Sequence, residues 1–217
     1  MVTMMKHSPD DLKLIEDAVR KAELKTSGEI VPIIYNKCSN TSFVFPVLFL
    51  FLFLIWHTFQ DWYFPVNYWE GNLFLQLAFP PMFIGLLSFF LSHRTAVQRL
   101  LVPKNRREKV IRDRAELEFY RCGIPLTKDK TGILLFVSLM ERYSVVLADK
   151  AISEKLPPET WNDVLKILNS GMKSHQLAKG FVPAVEKCGE LLATHFPIKK
   201  DDMNELPNYP ILRLDYE

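Results

Sequence analysis

The chain has 217 residues, a formal net charge of +2, and 48% hydrophobic against 24% charged residues. Near-balanced charge gives no general case for nucleic acid as a partner. Three widely spaced cysteines without a CxxC pair (Cys38, Cys122, Cys188) argue against a zinc site or a disulfide frame and fit a reducing cytoplasm.

The start, MVTMMKHSPDDLK, lacks the apolar core of a signal peptide. Ser8 is a good N-cap, Pro9 suits the first helical position, and Asp10 and Asp11 complement the positive end of the helix dipole. Leu12, Ile15, Val19 and Ala22 then recur at helical spacing, and Gly28 is the expected stop. Glu29–Tyr35, EIVPIIY, reads as a strand covered on both faces. Pro32 cannot donate to a ladder, so the strand is expected at an edge or bulged there.

Next comes the greasiest part of the chain. Residues 41–59 read TSFVFPVLFLFLFLIWHTF and residues 73–92 read LFLQLAFPPMFIGLLSFFLS, neither with a charge. Twenty helical residues span roughly 30 Å, the thickness of a bilayer's hydrocarbon core. The expectation is a transmembrane helical hairpin. Between the spans, His57 to Asn72 carries aromatic rings and no Lys or Arg, whereas Arg94, Arg99, Lys104, Arg106, Arg107 and Lys109 follow the second span. The positive-inside rule then places both termini in the cytoplasm, in the bacterial inner membrane if the source is bacterial.

Residues 103–122 read as a helix stopped by Gly123. The basic run within it is expected on a solvated face, or in contact with anionic lipid headgroups through Lys104, Arg106, Arg107 and Lys109. Gly132–Leu139 and Tyr143–Ala148 read as an antiparallel hairpin turning at Glu141 and Arg142. Pro157-Pro158 opens a helix with Gly171 expected after its end. A last helix runs from about Ser174 to His195, and the charged, proline-rich tail is expected to lack regular structure. The first strand and the Gly132 strand, joined through a helix, suggest a parallel pair with a right-handed crossover.

The expected fold is therefore α/β: a small mixed sheet flanked by helices, in a single domain split by the hairpin. Its boundaries are 1–40, the hairpin 41–92, the remainder 93–197 and an irregular tail 198–217. No GxGxxG, P-loop, GxSxG or HExxH motif is present. Glu29, Asp129 and Asp149 sit at strand ends and adjoining loops, where α/β folds build sites. Such carboxylates either hold a hard cation, Ca²⁺ or Mg²⁺, or serve as caps and ion-pair partners.

Several of these pieces together resemble the TPM domain family. Thr26-Ser27-Gly28-Glu29 after the first helix, Thr131-Gly132 at the central strand, Ala148-Asp149, Gly180-Phe181 and the closing Asn204-Glu205-Leu206-Pro207-Asn208 carry the resemblance. The inserted hairpin is similar to a bacterial membrane-protein branch of that family. The resemblance implies an α/β domain with an acidic site; phosphatase activity, receptor modulation and calcium binding each occur among members. Two functions are expected. One is a membrane-anchored module, contacting the lipid bilayer, that binds or modulates a protein partner. The alternative is a metal-assisted phosphatase, in which Glu29, Asp129 and Asp149 hold the cation that activates water.

Overall fold

The computed structural model describes residues 8–63, 73–173, 176–199 and 203–213, with side chains of 60–77 outside the description. Among the described residues two compact units emerge: one from Asn40 to Pro103, the other comprising Ser8 to Ser39 and the chain from Lys104 onward.

The second unit is a mixed α/β fold. Its helix α1 (Pro9–Glu23) starts as the sequence predicts, with Ser8 Oγ accepting from Asp10 N. β1 (Glu29–Tyr35), β2 (Gly132–Ser138) and β3 (Tyr143–Ala148) also match their expected ranges closely. β1 and β2 are parallel, with Glu29 opposite Gly132, and β2 and β3 are antiparallel. A fourth strand, β4 (Ile211–Arg213), lies parallel to β1 on its other side, so the order is β3-β2-β1-β4.

Both faces of this sheet are covered. Ile30, Ile34, Ile133, Leu135 and Val137 point into one core, with α1 and the later helices. Val31, Ile33, Tyr35, Leu134 and Phe136 point into the other, against α5 (Lys104–Arg121). Alternation with period two sends successive residues to opposite faces. Because both faces are buried, β1 and β2 read as unbroken apolar runs.

Pro32 is accommodated by the length of β4. Ile30 N points away from β2, to Glu23 Oε1, and Asn36 N points to Arg213 O on the same side. Pro32 shares that side, where its missing donor is not needed: pairing with β4 begins only at Ile33. The strand is central from Ile33 onward and an edge at Pro32.

Gly123 ends α5 with φ 71°, the left-handed exit that a glycine takes without penalty. Gly171 is different from its expected role. It lies inside α7 (Asn162–Lys173), and a Cβ there would stand 2.3 Å from Gly180 Cα in α8 (Leu177–His195). The two glycines let the helix backbones touch. The Ser174 start expected for α8 lies outside the described residues. Two short helices were not expected, α4 (Thr95–Leu101) and α6 (Lys150–Lys155). The tail is not irregular throughout, since β4 belongs to it.

The first unit holds α2 (Val44–Tyr63) and α3 (Leu73–Ser92), which pack on each other, and α4. Here the transmembrane reading is corrected: among the described residues, no helix is long and apolar enough to cross a membrane. The uncharged apolar run of α2 from Val44 to Trp56 reaches about 20 Å before His57 and Thr58, short of a hydrocarbon core of about 30 Å. The two spans, the integral-membrane assignment, the inner-membrane location and the cytoplasmic placement of both termini all depended on that hairpin, and they fall with it. Most of the aromatic segment from His57 to Asn72 lies outside the described residues.

Candidate functional site

One end of the sheet gathers residues far apart in sequence. Glu29 and Gly132 open β1 and β2 side by side, and Asp149 follows the end of antiparallel β3, so all three lie along one edge. Thr131 Oγ1 donates to Ser27 O at 2.7 Å, and Glu29 N donates to Thr131 O. Thr26 Oγ1 donates to Phe196 O at 2.6 Å and accepts from Gly28 N. Gly28 is closely covered: a Cβ there would stand 2.9 Å from Leu192 Cδ1 and require that side chain to shift.

The segment from Asn204 to Asn208 lies across this edge and is held by carboxylates. Glu29 Oε1 accepts from Glu205 N at 3.1 Å, and the Glu205 carboxylate accepts from Lys128 N at 3.1 and 3.2 Å. With its amide turned to satisfy both ends, Asn204 donates to Glu29 Oε2 at 3.1 Å and to Leu206 O at 2.7 Å. Glu23 accepts from Ile30 N at 2.9 Å and from the Asn208 amide. Beside the segment is a cleft of about 230 Å³, lined by Glu23, Thr26, Glu29, Met203, Asn204 and Asn208 among others. The motif residues Thr26, Ser27, Gly28, Glu29, Thr131, Gly132, Asn204 and Glu205 thus meet, with Leu206 and Pro207 in the same crossing segment.

The three carboxylates expected to share a cation have separate partners. Glu29 holds the crossing segment, Asp129 Oδ2 pairs with Lys199 Nζ at 2.6 Å, and Asp149 Oδ1 caps α6 by accepting from Lys150 N at 2.6 Å. Asp149 Oδ2 is buried with no hydrogen-bond partner among the described residues. Among those residues, no three His, Cys, Asp or Glu side chains are grouped to hold a metal ion. Glu29, Asp129 and Asp149 are therefore not grouped as ligands of one cation among the described residues.

A second polar cluster sits inside the opposite core. Glu118, with no exposed surface, accepts from Tyr35 Oη at 2.8 Å, Arg121 at 3.3 Å and Arg213 at 3.5 Å. It ties α5, β1 and β4 together. Burial first, then the hydrogen bond to Glu118, pushes the Tyr35 hydroxyl up to about 12. Burial pushes the Cys38 thiol up to about 12 as well. Neither group is poised as a nucleophile or base.

Sequence reasoning missed Glu118, which stands in a charged run and looks like part of a solvated face. It also missed Glu141. That carboxylate accepts from Cys38 N, Ser39 N and Ser138 Oγ, fixing the chain where it leaves β1 for the helical insertion. On α5, Lys104, Arg106 and Lys109 are exposed, whereas Arg107 is half-buried.

No family model and no curated protein matches the chain. Among solved structures, it is similar to the NMR structure of the BA42 protein from the psychrophilic bacterium Bizionia argentinensis. The TM-score is 0.59 and the identity 22%, over 95% of this chain and 94% of that one. A likeness at that identity carries the fold alone, a mixed sheet flanked by helices.

Proposed function

We propose that this chain is a TPM-like binding and modulatory module that docks a protein partner through the apolar faces of α2 and α3. One observation carries the reading. Val47, Leu50, Phe51 and Leu54 on α2, and Phe79, Met82, Phe83, Leu86 and Phe90 on α3, are exposed at helical spacing. Such stripes are the anchors by which one helix packs on another. Their combined apolar surface exceeds the few hundred Å² that a soluble monomer usually leaves uncovered. From Asn40 to Phe59 and from Ala78 to His93 there is no charged side chain, so the matching partner surface is apolar and helical. Kinship with the TPM family is supported by the meeting of its motif residues at one sheet edge.

The test is co-purification of the full chain in a mild non-ionic detergent, followed by cross-linking. A reproducible partner is expected, and Phe51→Glu together with Phe83→Glu should release it. A chain that emerges alone in repeated preparations, or a partner indifferent to both substitutions, overturns the reading.

A further inference from the structure

The outer edge of β1 is protected in two different ways along its length. A bare strand edge presents unpaired N–H and C=O groups that any extended segment can bind, and proteins cover or blunt such edges. As far as Pro32 the edge is blunted: Glu23 Oε1 accepts from Ile30 N, and Pro32 has no N–H to offer. From Ile33 onward it is covered by β4, with Asn36 N donating to Arg213 O.

The hold on β4 is small for a strand. Its register with β1 is three residues, Ile33–Tyr35 against Ile211–Arg213, whereas β1 and β2 share seven. Ile211 is partly buried against the core on the α5 side and Leu212 against the opposite core. Arg213 is exposed and reaches the buried Glu118 carboxylate at 3.5 Å. Upstream, the segment is fastened at separate polar points, Glu205 N on Glu29 and the Glu205 carboxylate on Lys128 N. Of residues 203–213 only Pro210 is buried. Apolar burial is the main term holding a segment in place, so one with so little of it opens without the rest of the sheet.

We propose that residues 203–213 are a releasable strap, an internal ligand that occupies a strand-docking edge of β1 until an extended segment of another protein replaces it. In strand addition, ladder bonds supply affinity and alternate side chains supply the choice of partner. The strap carries the recognition chemistry itself: one aliphatic residue for each core, and an Arg two places after the first of them for Glu118. The edge belongs to the α/β unit and uses neither α2 nor α3, so this interaction is separate from docking at the helical faces.

The experiment uses the full chain and, as probe, a fluorescently labelled peptide of residues 203–213. With Ile211→Asp and Leu212→Asp together, the strap loses both apolar contacts and the edge opens. That variant should bind the peptide saturably by fluorescence anisotropy. The unsubstituted chain should bind it about tenfold more weakly or worse, because a tethered strap competes at an effective concentration on the order of millimolar. A peptide carrying both substitutions should bind neither chain. Hydrogen exchange locates the contact: the Asn36 amide should lose protection in the variant and regain it with peptide. Equal binding to the two chains, binding to neither, or a peptide that leaves Asn36 exchange unchanged overturns the strap. Near-UV circular dichroism confirms that the variant is folded. Should it not fold, the unsubstituted chain decides alone. Its Asn36 amide should exchange about tenfold or more faster than the amides between β1 and β2, and one common rate for all of them overturns the proposal.

Discussion

The two units handle apolar residues in opposite ways. In the α/β unit every residue of β2 from Gly132 to Ser138 is buried, and the sheet divides its side chains between two cores. The helical unit is richer still in Phe and Leu, yet Leu50, Phe51, Met82, Phe83 and Phe90 are each more than half exposed. Hydrophobic content alone therefore does not tell how a segment is satisfied. A strand alternates and finds cover on both sides of the sheet. A pair of helices can bury only the faces they share, here around Gly85 and Phe49, and the rest must look outward.

The largest way to break this contrast is to force the α/β unit apart at its tightest point. In Gly171→Val, the new Cβ would lie 2.3 Å from Gly180 Cα and 2.6 Å from Gly180 N. These are backbone atoms, so no side chain can swing aside. Overpacking of this kind costs about 3 kcal/mol or more, a large share of a domain's marginal stability. Near-UV circular dichroism during urea unfolding should show a much lower midpoint or no folded baseline. A midpoint within experimental error of the parent would mean that α7 and α8 do not cross at these glycines.

The next effect tests how β4 is held. Glu118→Ala leaves Tyr35 Oη without its acceptor and frees Arg213 from its only buried carboxylate partner among the described residues. An expected loss of about 2–3 kcal/mol follows from breaking a buried, charge-assisted network. Hydrogen exchange gives a sharper readout. The Asn36 amide, which donates to Arg213 O, should lose protection before amides between β1 and β2 do. Uniform loss across all strands would sink the idea that Glu118 acts as a clamp on β4.

These two sites also mark where the sequence was legible and where it was not. β1, β2 and β3 could be read because each is a short apolar run bounded by turn residues, and the Ser8 cap because its chemistry is local. Gly171 could not be read, since a glycine that stops a helix and one that lets two helices touch look alike in one dimension. β4 is three residues after Tyr209-Pro210 in a charged tail, and it exists through pairing with β1 rather than through its own propensity. At the candidate site, Thr26, Gly28, Glu29, Thr131, Asn204 and Glu205 meet, whereas Gly180-Phe181 lie in α8 at its contact with α7. The cation triad does not meet, because whether carboxylates converge depends on which neighbours claim them. Lys199 for Asp129 and the α6 start for Asp149 are not visible from spacing. The apolar hairpin was read through composition alone. Among the described residues, no helix is long and apolar enough to cross a membrane.

Alkaline pH offers a smaller test of the buried polar groups. In the unfolded chain, Tyr35 ionises near 10 and Cys38 near 9, whereas in the fold both are pushed up to about 12. The neutral forms are favoured in the native state. Their contribution is therefore complete below pH 9 and declines as pH rises toward 12. For Tyr35, a shift of this size corresponds to about 3 kcal/mol at most. Urea midpoints should fall steadily from pH 9 to pH 11.5. Tyr35→Phe should make that decline shallower above pH 10. An identical pH profile in the variant would show that Tyr35 does not resist ionisation.

The smallest expected effect bears most directly on the contrast between the units. Phe51 is 60% exposed and Phe83 is 57% exposed. Replacing either with Ser removes little buried surface, so stability should change by less than about 0.5 kcal/mol. Phe136, with no exposed surface, gives the reference: Phe136→Ser should cost about 3–5 kcal/mol. Under the proposed function, the exposed pair behaves oppositely in association, and Phe51→Ser with Phe83→Ser should sharply reduce recovery of the partner. Stability and binding then separate cleanly, with core residues governing the first and hairpin residues the second. If either exposed substitution lowers the urea midpoint as far as Phe136→Ser does, those rings are already buried in solution. The difference between the units would then disappear, and with it the surface on which the docking proposal stands.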